Sequence, residues 1–380
     1  MANTDVEKDG KKMKKTIKIL TTALLLTAGF TTSAFAERVG IPNNTPVGSV
    51  IKAEKLKLEN TWDKTFKKSE KVDHKKVTFV NRYGITLAAD MYIPKNAKGK
   101  LAAIAVSGPF GAVKEQCSGL YAQEMAERGY LTIAFDPSFT GESGGYPRYV
   151  QSPDINTEDF SAAVDFLSTQ ANVDANKVGI IGICGWGGLA VNAAAADPRI
   201  KATVAVTMYD MSRVNANGYF DAMDAKARYE ARKTVSDQRT ADYKNGYYKL
   251  QGGVPDRLGD DAPQFVKDYF DYYKTERGYH KRSLNSNGGR TSTNPYSFMN
   301  MPLLTYSNEI QNAVMLVHGD KAHSFYFSKD AYANMIKDNP YADNKEFVII
   351  PGASHTDLYD GGEKKVIPFD KLQAFFDKNM

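Results

Sequence analysis

Two cysteines, two tryptophans and five histidines are all that a chain of 380 residues carries of these types, and each shortage excludes something. Two cysteines cannot build a disulfide scaffold even in an oxidising compartment, so each thiol needs its own explanation. The cysteines and histidines show no ligand spacing, so no metal is implied. No glycine fingerprint opens the first strand–helix unit, and no organic cofactor is implied either. Internal repeats and low-complexity tracts are also lacking. Positive charge is scarcer than the formal +5 suggests: residues 1–36 hold six lysines and three acids, and without them the sum is +2. No basic block remains to argue for nucleic acid or an anionic membrane surface.

What is present begins with those residues. Lys14, Lys15 and Lys18 lead into an apolar run over residues 19–30, which ends in the small-x-small triplet Ala34-Phe35-Ala36. That pattern is a secretory signal peptide with cleavage after Ala36, and residues 1–12 form an upstream extension. The apolar run is too short to span a bilayer comfortably, so no stable membrane insertion is expected after cleavage. A secreted, periplasmic location follows as an expectation.

After an N-terminal segment (37–75), the chain alternates between two hydrophobic periods. Short β-branched runs at 101–107, 131–135, 178–183, 202–207, 313–317 and 347–350 read as buried strands, with helical patterns at 115–128, 158–169 and 326–337 between them. Such alternation implies an α/β fold, a mostly parallel sheet with helices on both faces. Residues 75–94 read as a hairpin turning at Arg82-Tyr83-Gly84. The alternation breaks once. Residues 211–300 hold no good strand and are rich in charge and tyrosine, so they read as a helical cap inserted between a first core part (76–210) and a second (301–380).

Ligands of such a sheet bind at the carboxyl ends of its strands. One of those ends is Val178-Gly-Ile-Ile-Gly-Ile-Cys184, running into Gly185-Trp-Gly-Gly. Glycines on both sides suit a tight strand-to-helix turn that strains the residue at its apex. The helix start beyond it favours an anion, which matters for a thiol with a free pKa of about 8.5. A thiol nucleophile wants a base. His74 and His280 lie away from the strand ends, and His318 and His323 flank one end as structural or substrate-facing groups. His355, in a loop leaving the last strand, is carried to the right edge.

These features together resemble the α/β-hydrolase fold, and the cysteine in the serine position resembles its dienelactone-hydrolase-like branch. The stretches GPFGAVKEQ, AFDPSFTGESGG, MYDMSR and GASHTDLYD are similar to bacterial members of that group. The resemblance implies a Cys184–His355 pair with an acid, and an oxyanion hole from the backbone N–H groups of Gly185 and Phe110. Pro109 has no N–H to give. Two departures accompany it. Trp186 occupies a position where the pattern wants a small residue, and a shifted register would put Trp186 itself at the turn. The position of the usual acid, three after Gly319, is Ala322, so Asp320 is the candidate and Asp210 the alternative.

The sequence therefore predicts a hydrolase of carboxylic esters, lactones or thioesters, with a small ester-type substrate and an acyl-enzyme on Cys184. Tyr269, Tyr272 and Tyr273 are expected to wall the substrate site. Two other classes stay open: a catalytically silent ligand-binding relative, and a thiol–disulfide role using both cysteines. In the resembled fold the strand at 101–107 neighbours the one that carries Cys184, so a Cys117–Cys184 link is geometrically conceivable.

Overall fold

The computed structural model describes residues 52–380; the expected signal segment at 1–36 lies outside them. Eight strands form one sheet: β1 (Val72–Val80), β2 (Thr86–Pro94), β3 (Leu101–Ser107), β4 (Leu131–Phe135), β5 (Val173–Ile183), β6 (Ala202–Val206), β9 (Ala313–Gly319) and β10 (Lys345–Ile350). Their spatial order is β1-β2-β4-β3-β5-β6-β9-β10. The β1·β2 and β2·β4 pairs are antiparallel and every other pair is parallel.

The central strands are buried towards their carboxyl ends because helices cover both faces. The residues of β4 and β6 are all buried, as β-branched runs between two apolar layers must be. Helices α1 (Cys117–Glu127), α2 (Pro153–Ser168), α3 (Gly185–Ala196), α8 (Phe325–Ile336) and α10 (Phe369–Asn379) supply those layers. Helix α2 starts at Ser152, whose side chain accepts from the Ile155 N–H, with Pro153 at its first position.

Between β6 and β9 the chain leaves the sheet. This insertion holds α4 (Met211–Asn217), α5 (Ala225–Asn245), α6 (Gln264–Lys274), the short α7 (Pro295–Phe298), and two dipeptide strands, β7 (Leu250–Gln251) and β8 (Arg290–Thr291). The insertion is therefore not purely helical. Its β7·β8 ladder has only two residue pairs, too few to leave a period in the sequence. Among the described residues no helix is long and apolar enough to cross a membrane.

Candidate active site

Strand β5 delivers Cys184 to the carboxyl edge of the sheet, and the backbone there is strained. Cys184 sits at φ 59°, ψ −127°, a region that side chains rarely occupy. The strain is held by bonds on both sides: the Cys184 N–H donates to Val206 O at 2.9 Å, and the Cys184 carbonyl accepts from the Gly187 and Tyr209 N–H groups, each at 2.9 Å. Close packing explains the flanking glycines. A Cβ at Gly182 would stand 2.1 Å from the Trp186 carbonyl oxygen, and one at Gly188 2.3 Å from that of Tyr209. The turn thus falls on Cys184. Trp186 points under the sheet, edge-on to Phe135 and Phe160 at ring separations of 5.8 and 5.3 Å.

The thiol is buried, which raises its pKa. The Tyr359 hydroxyl, the Gly185 and Phe110 N–H groups and the positive charge of Arg290 act in the opposite direction. The two backbone groups named from the sequence, at Gly185 and Phe110, are thus among those that act on the thiol. The Phe110 loop is held in place by the insertion: Asn285 donates from Nδ2 to Phe110 O at 2.8 Å, and Ser283 Oγ donates to Gly111 O at 3.0 Å.

His355 lies in the same place but does not bond the thiol directly. Its Nε2 faces the Tyr359 hydroxyl at 3.1 Å, and Tyr359 lines the cavity together with Cys184 and acts on its thiol. Tyr359 was missed from the sequence, although it lies only four residues after His355, in the same GASHTDLYD stretch. It belongs to the short helix α9 (Asp357–Asp360).

Neither aspartate proposed for the acid reaches the histidine. Asp320 is exposed, and its Oδ1 accepts from the Gly352 N–H at 2.7 Å. Asp210 caps α4, accepting from the Arg213 N–H at 3.0 Å. Asp320 is thus held by the backbone of the loop after β10, and Asp210 by the first turn of its own helix. Both loops nevertheless send a group to His355 Nδ1, and both groups are hydroxyls. Thr207 Oγ1, from the β6 loop, lies at 2.8 Å and Ser324 Oγ, from the β9 loop, at 2.7 Å. Beyond Ser324 stands His318, with Nε2 3.0 Å from Ser324 Oγ and Nδ1 2.6 Å from Ser328 Oγ. Burial pushes His355 well below an ordinary histidine, and His323 and His318 add to the effect. The same cause takes His318 down to about 3. At neutral pH this is a chain of uncharged groups.

Above Cys184 opens a cavity of about 440 Å³. Tyr209, Tyr219, Tyr269, Tyr273 and Tyr359 line it, together with Phe110 and Phe265. Tyr269 and Tyr273 thus stand where the sequence reading put them. Tyr272 does not line the cavity and packs on Tyr359 at 4.9 Å. Cys117 is buried, with Sγ 3.8 Å from the Gly108 carbonyl oxygen, and neither cysteine is in a disulfide. Of the remaining histidines, His74 pairs with Asp90 at 2.7 Å and His280 faces Asp63 at 3.5 Å. Glu115, Asp136 and Glu142 gather carboxylate oxygens in one place, as a cation site would. The ammonium of Lys114 stands among them, at 2.6, 2.8 and 2.6 Å.

Sheet order, strained turn and cavity define an α/β-hydrolase. Residues 83–319 match the family described as X-Pro dipeptidyl-peptidase (S15 family), and the chain belongs to that family. It is 56% identical to the uncharacterised protein PA2218 of Pseudomonas aeruginosa over 327 residues, 86% of each chain. The crystal structure of that protein superposes with a TM-score of 0.82, covering 86% of this chain and all of the other. An α/β hydrolase, GrgF of a Penicillium species, shares the fold at 18% identity, with a TM-score of 0.64 over 81% of this chain and 99% of that one. A shorter match, 31% identical over 140 residues, is to the thiohydrolase aneE of Aspergillus aculeatus. It spans 37% of this chain and 43% of the relative.

Proposed function

We propose that this protein hydrolyses carboxylic esters, lactones or thioesters through an acyl intermediate on Cys184, after export to the periplasm by its signal segment. The observation that carries the reading is the strained turn that presents Cys184 to a cavity of about 440 Å³, with Phe110, Tyr359 and Arg290 in the same lining. The similarity to a thiohydrolase keeps thioesters among the substrates.

The steps follow from the geometry. With the Nδ1 proton of His355 directed to Ser324 or Thr207, Nε2 is free to accept. The thiol gives its proton to the Tyr359 oxygen as Tyr359 passes its own to Nε2, and the sulfur attacks the carbonyl carbon. Negative charge moves onto the carbonyl oxygen, where the Phe110 and Gly185 N–H groups donate to it; losing one such donor typically costs about 3 kcal/mol of transition-state stabilisation. Collapse expels the alkoxide or thiolate, which takes the proton back from His355. Water then attacks the thioester by the same route, releasing the acid and restoring the thiol.

One observation favours a second reading. Tyr359 separates Cys184 from His355, and no carboxylate among the described residues bonds His355, as suits a silent relative that binds a ligand below its cap. One experiment separates the two. Mixed with 4-nitrophenyl butyrate, the wild type should release a burst of nitrophenol equal to the enzyme and carry a butyryl group on the Cys184 peptide. Cys184→Ala should do neither. A wild type with no burst and no adduct moves the reading to the silent relative.

A further inference from the structure

The cavity above Cys184 adjoins a second one of about 260 Å³, and Phe110, Met211, Asn215 and Arg290 line both. Arg290 is the only charged side chain in either lining. Its backbone belongs to β8, tied to Gln251 across the ladder, and the next residue's N–H donates to Tyr149 O at 3.0 Å. The guanidinium lies 5.5 Å from the ring centre of Phe110, a residue whose backbone acts on the thiol.

This arginine is treated unlike its neighbours. Arg213, Arg277 and Arg282 are each sheltered, and each meets a carboxylate, at 2.8, 2.7 and 2.8 Å. Arg290 has no ion pair or hydrogen bond to its side chain among the described residues; the groups that act on it are Cys184, Tyr219 and Tyr273, none of them a carboxylate, and burial lowers its pKa. A sheltered cation without a counter-charge is costly, and a planar guanidinium is built to take a carboxylate through two parallel bonds.

We propose that Arg290 binds a carboxylate carried by the substrate, so that the site takes anionic esters or thioesters, such as monoesters of dicarboxylic acids, in preference to neutral ones. The cavity has the sign for this, since it offers one positive group and no negative side chain. Phe110 places the anion subsite next to the reacting carbonyl. The proposal rests on the reading of Cys184 as the nucleophile, and its test needs no turnover.

The test compares alkylation of Cys184 in the full chain by iodoacetate and by iodoacetamide, which differ in a carboxylate and little else, with the site read by peptide mass. In the wild type the ratio of iodoacetate to iodoacetamide rates should exceed that of a free cysteine peptide by about tenfold, the size of one good charge-assisted bond. Arg290→Met should bring the ratio to that of the peptide, while Arg290→Lys keeps part of the preference. If Arg290→Met does not fold, protection of the wild type decides: glutarate should slow iodoacetamide, and glutaramide should not. Two results overturn the proposal. One is a ratio unchanged by Arg290→Met. The other is equal slowing of both reagents, which would make Arg290 only a partner of the thiolate. The place of the carboxylate is then read from mono-4-nitrophenyl glutarate against 4-carboxyphenyl acetate, which carry it on the acyl and leaving groups respectively. Anion preference without ester turnover would sink the hydrolase reading and leave the subsite standing; turnover without anion preference would do the reverse.

Discussion

Two buried polar clusters lie at the carboxyl edge of the same sheet, and they are built on opposite principles. Around Lys114, three carboxylates and two further cations crowd together: Glu115, Asp136 and Glu142, with Lys76 and Arg282 outside them. Burial alone would lower the Lys114 pKa, but the surrounding carboxylates raise it well above the ordinary value. Around His355, among the described residues, stand hydroxyls, three tyrosine rings and other imidazoles. The chain does bring carboxylates to this edge, yet it places them where they join loops together and not beside His355. A carboxylate next to His355 would hold a proton on it. Hydroxyls fix the ring and leave it neutral, so in the proposed mechanism the imidazolium formed during attack would have no fixed anion to stabilise it. The first cluster ties loops together by charge; the second, in the proposed mechanism, would have to pass a proton.

The sharpest way to test the difference is to remove the base. His355→Ala should lower kcat/KM on activated esters by about 10²–10⁴-fold, the usual worth of a general base. Its fold should hold, since the lost ring bonds only small polar groups and Tyr359. Burst amplitude and far-UV circular dichroism measured together check this. An unchanged rate would show that the proton leaves by another route and would remove His355 from the mechanism.

Next comes the charged cluster. Lys114→Met keeps the length of the side chain and leaves three carboxylates without their shared cation. Breaking a buried ion pair on one side typically costs about 3–5 kcal/mol, and urea unfolding should show a loss of that size. A loss below about 1 kcal/mol would mean that Lys76 and Arg282 suffice to hold the loops, and that the contrast between the clusters is one of composition alone.

How much of this the sequence disclosed depends on what each feature leaves in it. Strands β3 and β4 were legible to the residue, because apolar runs end abruptly at charge or glycine. Strand β5 begins at Val173, five residues before its apolar run, and that start was illegible because residues 174–177, three of them polar, are mostly exposed and keep no β period. Cys184 could be found since the hydrophobic period changes there. The segments GPFGAVKEQ and AFDPSFTGESGG supply Lys114, Glu115, Asp136 and Glu142, but ion pairs between distant loops leave no local signal. The partners of His355 were illegible for a different reason. Serine and threonine in loops are common as turn and cap residues, so nothing marks Thr207 or Ser324. Asp320 and Asp210 drew notice by residue type, and their carboxylates are spent on backbone N–H groups.

The smallest expected effect sharpens the comparison inside the neutral cluster. Both hydroxyls meet His355 Nδ1, but only Ser324 hands the contact on at 3.0 Å to His318; Thr207 lies 3.4 Å from that ring. Removing either leaves the other to fix the tautomer, so each loss is one hydrogen bond, about 0.5–1.5 kcal/mol net. Ser324→Ala should therefore reduce kcat/KM by about tenfold or less, with KM little changed, because it cuts the chain to His318 as well. Thr207→Val keeps the branched shape at a position already at φ 44°, and should cost about threefold or less. The double variant is the decisive measurement. If Nδ1 needs only one partner, the two losses together should exceed the product of the single ones, since the ring is then free to choose the wrong tautomer. A double variant that merely multiplies the two would show that His355 is oriented by packing against Tyr359 and Tyr209, and that the hydroxyls are not its positioning groups.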